Sequence, residues 1–459
     1  MILNDLPTLK DTLNRHDLVL NKVQRIVQCS PPFTFGVHGD WGAGKTSFLK
    51  QLRYALDATA DPGDGDPNNI LRPETAPTNV ITVWFEAWRY QNEPAPVIAL
   101  IQEIRRQLSA WAQIKQGAKK IANVTVRSII NSIDDVARLL KLEAVPLGPG
   151  AIQAAGEKYE KENLLERLGT DSIQDYLDQA VADVLSALEV DNGRVVIFID
   201  DLDRCSAESA FRLLEGLKIY LSLKSCIFII GMNQQLVVDS IGACIPASSY
   251  PEEGASRSDF AKMRAEAYLE KLCTYVERLK PISNPLEAMR AWVENPELSG
   301  LIMQVQTMPV AEVCFLPPNP RKLKALVNQL ERSYLALKAS LGGVPTEAQL
   351  RVLLIIVYTY QFHSEIFQRW QFNPGFFSHL QKWVSSPQLG PIAKHPTYFA
   401  SLQLPIQRKD DNPALPVANT GYRSAFPDPY ATNVFWVAAL VVEKDMNEQV
   451  VSDVMHRCI

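Results

Sequence analysis

Long apolar runs are missing from this chain: nowhere do the ~20 residues needed to cross a bilayer as a helix pass without polar interruption, so no transmembrane segment is expected. The opening Met1-Ile2-Leu3-Asn4-Asp5-Leu6-Pro7 lacks the basic-then-apolar pattern of a secretory leader, and the expectation is a cytoplasmic protein. Cysteine is sparse, with seven residues at 29, 205, 226, 244, 273, 314 and 458. An odd number without a C-x-x-C pair does not make a disulfide framework, and their mostly apolar neighbourhoods read as buried, reduced thiols. The six histidines are scattered without ligand spacing, which speaks against a zinc site. Charge of one sign is also scarce, since a net −5 does not suit wholesale coating of nucleic acid. No internal repeat is evident. What the chain does have is apolar content, 47% of 459 residues, enough for a large core and a length suited to several domains.

The most informative segment is Gly39-Asp40-Trp41-Gly42-Ala43-Gly44-Lys45-Thr46, which fits the phosphate-loop pattern G-x-x-x-x-G-K-[ST]. It stands in the required context. Phe33 to Val37 reads as a strand before it, and Phe48, Leu49, Leu52 and Leu56 recur at helical spacing after it. Glycines let the backbone turn so that successive N–H groups face phosphates, and the new helix presents the positive end of its dipole. Residues 39–47, with Ser47 closing the loop, are the candidate nucleotide cradle. Lys45 is expected to reach the β- and γ-phosphates, and the Thr46 hydroxyl to ligate Mg²⁺. The base is expected to be adenine, because no N-K-x-D guanine signature occurs.

A second signal is independent of the first. Val195-Val196-Ile197-Phe198-Ile199 is an uninterrupted apolar run that ends in Asp200-Asp201-Leu202-Asp203-Arg204. A buried parallel strand delivers carboxylates to a site at its C-terminal edge in this way, although a solvated strand end can look the same. Asp200 is the candidate Mg²⁺ ligand and Asp201 the candidate for orienting the attacking water. Arg204 is expected to pair with a neighbouring carboxylate.

Together with Trp84-Phe85-Glu86-Ala87-Trp88-Arg89-Tyr90, Ile230-Gly231-Met232-Asn233, Ala267-Tyr268-Leu269-Glu270-Lys271 and Asn319-Pro320-Arg321-Lys322-Leu323-Lys324, these segments resemble the KAP family of P-loop NTPases, in family order across about residues 10–335. The family usually carries Asn or Asp where this chain has Glu86, so no role carries over from the resemblance, and Glu86 stands at the strand end as a candidate for supporting the site or orienting the water. The resemblance implies an ATP-hydrolysing, Mg²⁺-using switch, and points to bacterial antiphage defence beside partner proteins. It also favours Arg321, at a helix start, as a lid cation that senses the γ-phosphate, with a plain surface arginine as the alternative. Asn233, after a strand, is a candidate for sensing the γ-phosphate or holding the water, or for capping the next helix.

Alternation of strands at 33–37, 80–85, 195–199 and 226–230 with amphipathic helices implies an α/β fold, a doubly wound parallel sheet with a helical insertion and a helical C-terminal lid and domain. The expected pieces are an NTPase core at 1–111 and 169–280, a helical insertion at 112–168, a lid at 281–344 and a C-terminal helical domain at 345–459. Helices are expected over 97–111 and 172–188, and after Ser206. A helix within 11–29 precedes the first strand, and there Asn14, Arg15 and His16 read equally as base-pocket lining or as a surface turn. Trp84, Trp88 and Tyr90 read mainly as core and strand-edge packing. Segment 102–141 holds eight basic against three acidic residues. That asymmetry fits a solvated helix face, or a surface for a protein, nucleic acid or anionic lipid. The rival readings are thus an ATP-dependent nucleic-acid processing factor and a non-hydrolysing ATP-bound scaffold, and an oligomer is compatible with all of them.

Overall fold

The computed structural model describes residue 3 and residues 6–57, 77, 79–93, 99–108 except 101 and 105, 178, 181, 182, 185, 186, 192–220, 223–245, 257–307, 316–362, 364, 367, 368, 371, 406–408, 416–418 and 448–458. The expected insertion at 112–168, most of the basic segment 102–141 and of the 172–188 helix, and the proline-rich stretch near 404–429 lie largely or wholly outside these residues. Contacts divide the chain into two units, one of Pro7–Lys280 and one of Met1–Leu6 with Pro281–Ile459.

The first unit is a parallel sheet covered on both faces. Its helices and strands, in chain order, are α1 (His16–Gln28), β1 (Phe33–His38), α2 (Lys45–Leu56), β2 (Val80–Glu86), β3 (Arg194–Asp200), α3 (Ala207–Tyr220), β4 (Cys226–Met232), α4 (Gln234–Cys244), α5 (Arg257–Leu272) and β5 (Tyr275–Arg278). The strands run in the order β2-β3-β4-β1-β5, every neighbouring pair parallel. Period-two alternation sorts their side chains. Val195, Ile197 and Ile199 of β3 join Phe228 and Ile230 of β4 and meet Leu213, Leu217, Val237, Ile241 and Leu269 of α3, α4 and α5. Val196 and Phe198, with Ile227, Ile229, Phe35 and Val37, meet Val19, Val23 and Ile26 of α1 and Phe48, Leu49 and Leu52 of α2 on the other face. Because both faces are buried, these strands are uninterrupted apolar runs rather than alternating ones. The doubly wound α/β architecture expected from the sequence is the one found.

Local chemistry fixes the ends of these elements. Ser206 caps α3, its hydroxyl accepting the N–H of Ser209 at 3.3 Å. Helix α1 begins under Asp11, whose carboxylate accepts the N–H groups of Leu13, Arg15 and His16. Lys22, buried on α1, pairs with Glu277 and donates to the Tyr275 hydroxyl at 3.1 Å, tying the helix to edge strand β5. Among the described residues, Cys29, Cys205, Cys226, Cys244 and Cys273 are free thiols.

The second unit is helical in its longer elements: α6 (Pro285–Trp292), α7 (Pro296–Gln306), α8 (Pro320–Leu341), α9 (Glu347–Phe362) and α10 (Glu448–Cys458), beside a short antiparallel pair, β6 (Ile406–Arg408) and β7 (Pro416–Ala418). Three of its helices start alike, with an asparagine cap followed by proline at the first helical position. Asn284, Asn295 and Asn319 accept N–H groups from the turns that follow Pro285, Pro296 and Pro320. Helix α8 packs against α9 and α10 through a stripe that includes Leu323, Val327, Leu330, Tyr334 and Leu337, all fully buried. No helix of the described residues is long and apolar enough to cross a membrane.

Two glycines test how tightly this fold is packed. A Cβ on Gly231, at the end of β4, would come within 2.6 Å of Leu49 Cδ1 and 2.9 Å of Asp200 Oδ1, whereas a Cβ on Gly300 in α7 meets nothing within 4 Å. Gly231→Ala should therefore lower stability by about 1–3 kcal/mol through overpacking. Gly300→Ala should raise it by about 0.5–1 kcal/mol, since an open helical glycine carries only the entropic cost. Denaturant unfolding of the two variants reads both signs, and a stabilised Gly231→Ala would contradict the packing account.

Candidate functional site

The site lies where the chain leaves the C-terminal ends of β1, β3 and β4. After His38 the chain turns through Gly39–Thr46, with Gly42 at φ 80° and Gly44 at φ 83°, left-handed angles that a side chain disfavours. The turn is closed by Ala43 N–H on the Asp40 carbonyl at 3.0 Å and by Gly39 N–H on the Met232 carbonyl at 3.3 Å. Gly44 then opens α2, so the helix begins at Lys45 itself. Trp41 stands exposed at the loop tip, 61% accessible. The Ser47 hydroxyl accepts the N–H of Thr8 at 3.2 Å.

Lys45 is 8% exposed, and its ammonium is fully occupied. It donates to the Gly39 carbonyl at 2.9 Å and pairs with Asp203 Oδ2 at 3.0 Å, with the Asp40 carbonyl at 3.4 Å. Asp203 was no part of the sequence-derived site. The signal was present in Asp-Asp-Leu-Asp, because a tight 3-10 turn over Leu202–Arg204 carries the third acid back toward the loop. The same Asp203 oxygen accepts the backbone N–H of Asn233 at 3.1 Å. One carboxylate therefore joins the phosphate-loop lysine to the β4–α4 junction. The Asn233 side chain caps α4, accepting from the N–H groups of Gln235 and Leu236. His38 binds this junction as well, its Nδ1 accepting the Gln234 N–H at 2.8 Å. That bond requires an unprotonated Nδ1, and burial, then Arg278, hold the imidazole pKa below its usual value.

Asp200 ends β3, 1% exposed, opposite Glu86 of β2. Burial first, then the Asp201 charge, raises its pKa to about 6, while the nearby Thr46 hydroxyl and Asp201 backbone N–H ease ionisation. Neither carboxylate oxygen has a hydrogen bond of full geometry among the described residues. A buried carboxylate with no cation partner, beside a hydroxyl at a helix start, suits a hard cation with few protein ligands. Thr46 and Asp200 thus fit Mg²⁺. Among the described residues no group of three His, Cys, Asp or Glu side chains forms an all-protein cage.

Asp201 takes a left-handed backbone, φ 58°, and pairs with Arg204 Nε at 2.7 Å, the local partner expected for that arginine. Burial raises the Asp201 pKa against the opposing pull of Arg204. Burial first, then the charges of Asp201 and Asp203, pushes the Cys205 thiol up to about 12. Glu86 pairs with Arg89 and accepts from Trp84 Nε1 at 3.4 Å. Trp84 is buried at 9% and Tyr90 stacks on Phe85, as expected, but Trp88 is 41% exposed because the 3-10 turn after β2 carries it outward. Arg321 belongs to the second unit, in the first turn of α8 behind the Asn319 cap.

A glycine-rich loop between strand and helix, its lysine beside a carboxylate-ended strand, in a parallel sheet, defines a nucleotide-binding P-loop NTPase domain. The description of the family model that matches residues 16–337 is KAP family P-loop domain, and the chain belongs to that family. A comparison with curated proteins finds no match.

The orphaned Asp200 has a pH signature. An acid whose native pKa lies above its unfolded value of 3.8 holds its proton more tightly when folded. Its contribution is most favourable below that value and is lost as pH rises to about 6. In chelator, Asp200→Asn should be more stable than wild type at about pH 7.5, by at most about 3 kcal/mol, and lose the advantage at about pH 4. Thermal scans at both values check it, and a constant difference would contradict the buried, unpartnered carboxylate.

Proposed function

We propose that the chain is a Mg²⁺-dependent ATPase that works as a nucleotide-driven switch. The observation that carries this reading is the meeting of Lys45, Thr46, the unpartnered Asp200 and Asp201 at one sheet edge. The loop N–H groups would receive the phosphates, and Lys45 would exchange Asp203 for them. Thr46 and Asp200 would hold Mg²⁺, which supplies charge neutralisation on the β- and γ-phosphates. Asp201, freed from Arg204, would orient the attacking water. Asn233 would transmit the change, since its backbone shares Asp203 with Lys45. Arg321 is assigned the γ-phosphate sensor role on the family resemblance. The same resemblance supports the wider role, antiphage defence beside partner proteins.

Steady-state turnover of ATP and GTP by the purified chain, with and without DNA or RNA, tests this. Wild type should hydrolyse ATP, and Lys45→Ala should lose triphosphate binding. Asp201→Asn should keep Mg²⁺–ATP bound but turn over at least about a hundredfold more slowly. Equal loss of binding and turnover would instead make Asp201 a metal ligand. Tight ATP binding without turnover would mean a scaffold, and stimulation only by nucleic acid a processing factor.

The switch has its own test. Arg321→Ala should leave ADP affinity nearly unchanged and erase the protease or hydrogen-exchange protection that ATP alone induces, because a ligand shifts two states only by its differential affinity. Identical responses to ATP in mutant and wild type would remove Arg321 from the switch.

A further inference from the structure

The phosphate loop is held by a residue that precedes it by 28 positions. Arg15 is buried, 9% exposed, just ahead of α1. One guanidinium nitrogen donates to the Ala43 carbonyl at 3.0 Å and the other to the Lys280 carbonyl at 3.1 Å. In a planar trans peptide the carbonyl and the following N–H point in opposite directions. Holding the Ala43 carbonyl on Arg15 therefore turns the Gly44 N–H away from the guanidinium and leaves it free for a phosphate oxygen. Gly44 leaves the guanidinium room, since a Cβ there would stand 3.3 Å from Arg15 Nη1, a tight contact. The arginine is itself held in place. Its N–H bonds Asp11 Oδ1 at 3.0 Å, and its second carbonyl partner closely follows β5, whose neighbour Leu279 donates to the His38 carbonyl at 2.8 Å. Burying a guanidinium against two neutral carbonyls is costly, and desolvation accordingly lowers its pKa, with Asp11 opposing. Helix packing alone does not need that cost, as α1 is already anchored through Val19, Val23, Ile26 and Lys22.

We propose that Arg15 is a positioning residue of the nucleotide site, a second cation that acts through the backbone. It pre-shapes the loop for phosphate and ties it to Lys280, where the chain leaves the nucleotide unit. The inference rests on the nucleotide-binding reading. It assigns Arg15 to the phosphates rather than to the base, and the burial of Arg15 rules out the surface turn, the other role open to it from sequence.

The test uses the full chain and two metal-free probes, pyrophosphate and ADP, titrated by calorimetry. Arg15→Ala should weaken both by the same factor, about ten- to a hundredfold, the range for losing a charge-assisted hydrogen bond. Arg15→Lys, able to reach one carbonyl, should fall between it and wild type, and keeps the question answerable if the alanine variant does not fold. Val19→Ala supplies the structural control on the same helix. It should lower thermal stability yet bind both probes within about twofold of wild type, since packing alone sets its role. Arg15 variants that bind like wild type, or a Val19→Ala as impaired as Arg15→Ala, would overturn the inference while leaving the nucleotide reading intact. A wild type that binds neither probe would overturn that reading as well.

Discussion

An ammonium and a carboxylate buried together can be stable only as a pair, and the arrangement of this nucleotide unit follows from that constraint at Lys45 and Asp203. Both are all but sealed from solvent. Removing one partner from such a pair typically costs about 3–5 kcal/mol, because the other charge is stranded. The pair can be exchanged but not dissolved. A ligand that draws Lys45 away must bring negative charge of its own, which a polyphosphate does. Asp203 would then keep its bond to the Asn233 N–H while losing its cation, so filling the loop would change the load on the β4–α4 junction.

The same rule extends over the sheet edge. Asp201 is matched by Arg204 and Glu86 by Arg89, each within a turn of its own chain. Asp200 is the exception. Its burial without a cation makes it the group for which a small cation gains most, and Gly231 preserves the space beside it. Two pairs local in sequence, the long-range Lys45–Asp203 pair and one acid without a cation make up the charge pattern of this edge.

Elements whose information is local were legible in the sequence. Each central strand is a continuous apolar run because both its faces are covered, and Ser206 and Asn233 are caps whose chemistry lies within three residues. The phosphate loop was legible for the same reason, as glycine spacing alone encodes its two left-handed turns. Contacts across the chain were not. Arg15 reaches Ala43 and Lys280 across 28 and 265 positions, and nothing in its neighbourhood marks it. Asp203 was in view but unassigned, because a 3-10 turn and not a periodic element decides where it points. Trp88 was placed with the packing residues on its aromatic neighbours, while the turn at 87–90 decides its exposure.

The strand order bears on how the protein is made. β1 carries the phosphate loop, yet its two neighbours are β4 and β5, so Phe33 must wait for Ile227 and Phe35 for Tyr275. At ~5–20 residues per second, a ribosome needs at least about ten seconds to supply them. Pairings of such long range also carry a large loop-closure cost. Until β4 emerges, the loop lacks the Met232 carbonyl that holds Gly39, and until Lys280 emerges Arg15 lacks its second anchor. A nascent or truncated chain thus carries the whole glycine-rich motif without the scaffold that shapes it, and competence to take up nucleotide becomes a certificate that the nucleotide unit has been completed.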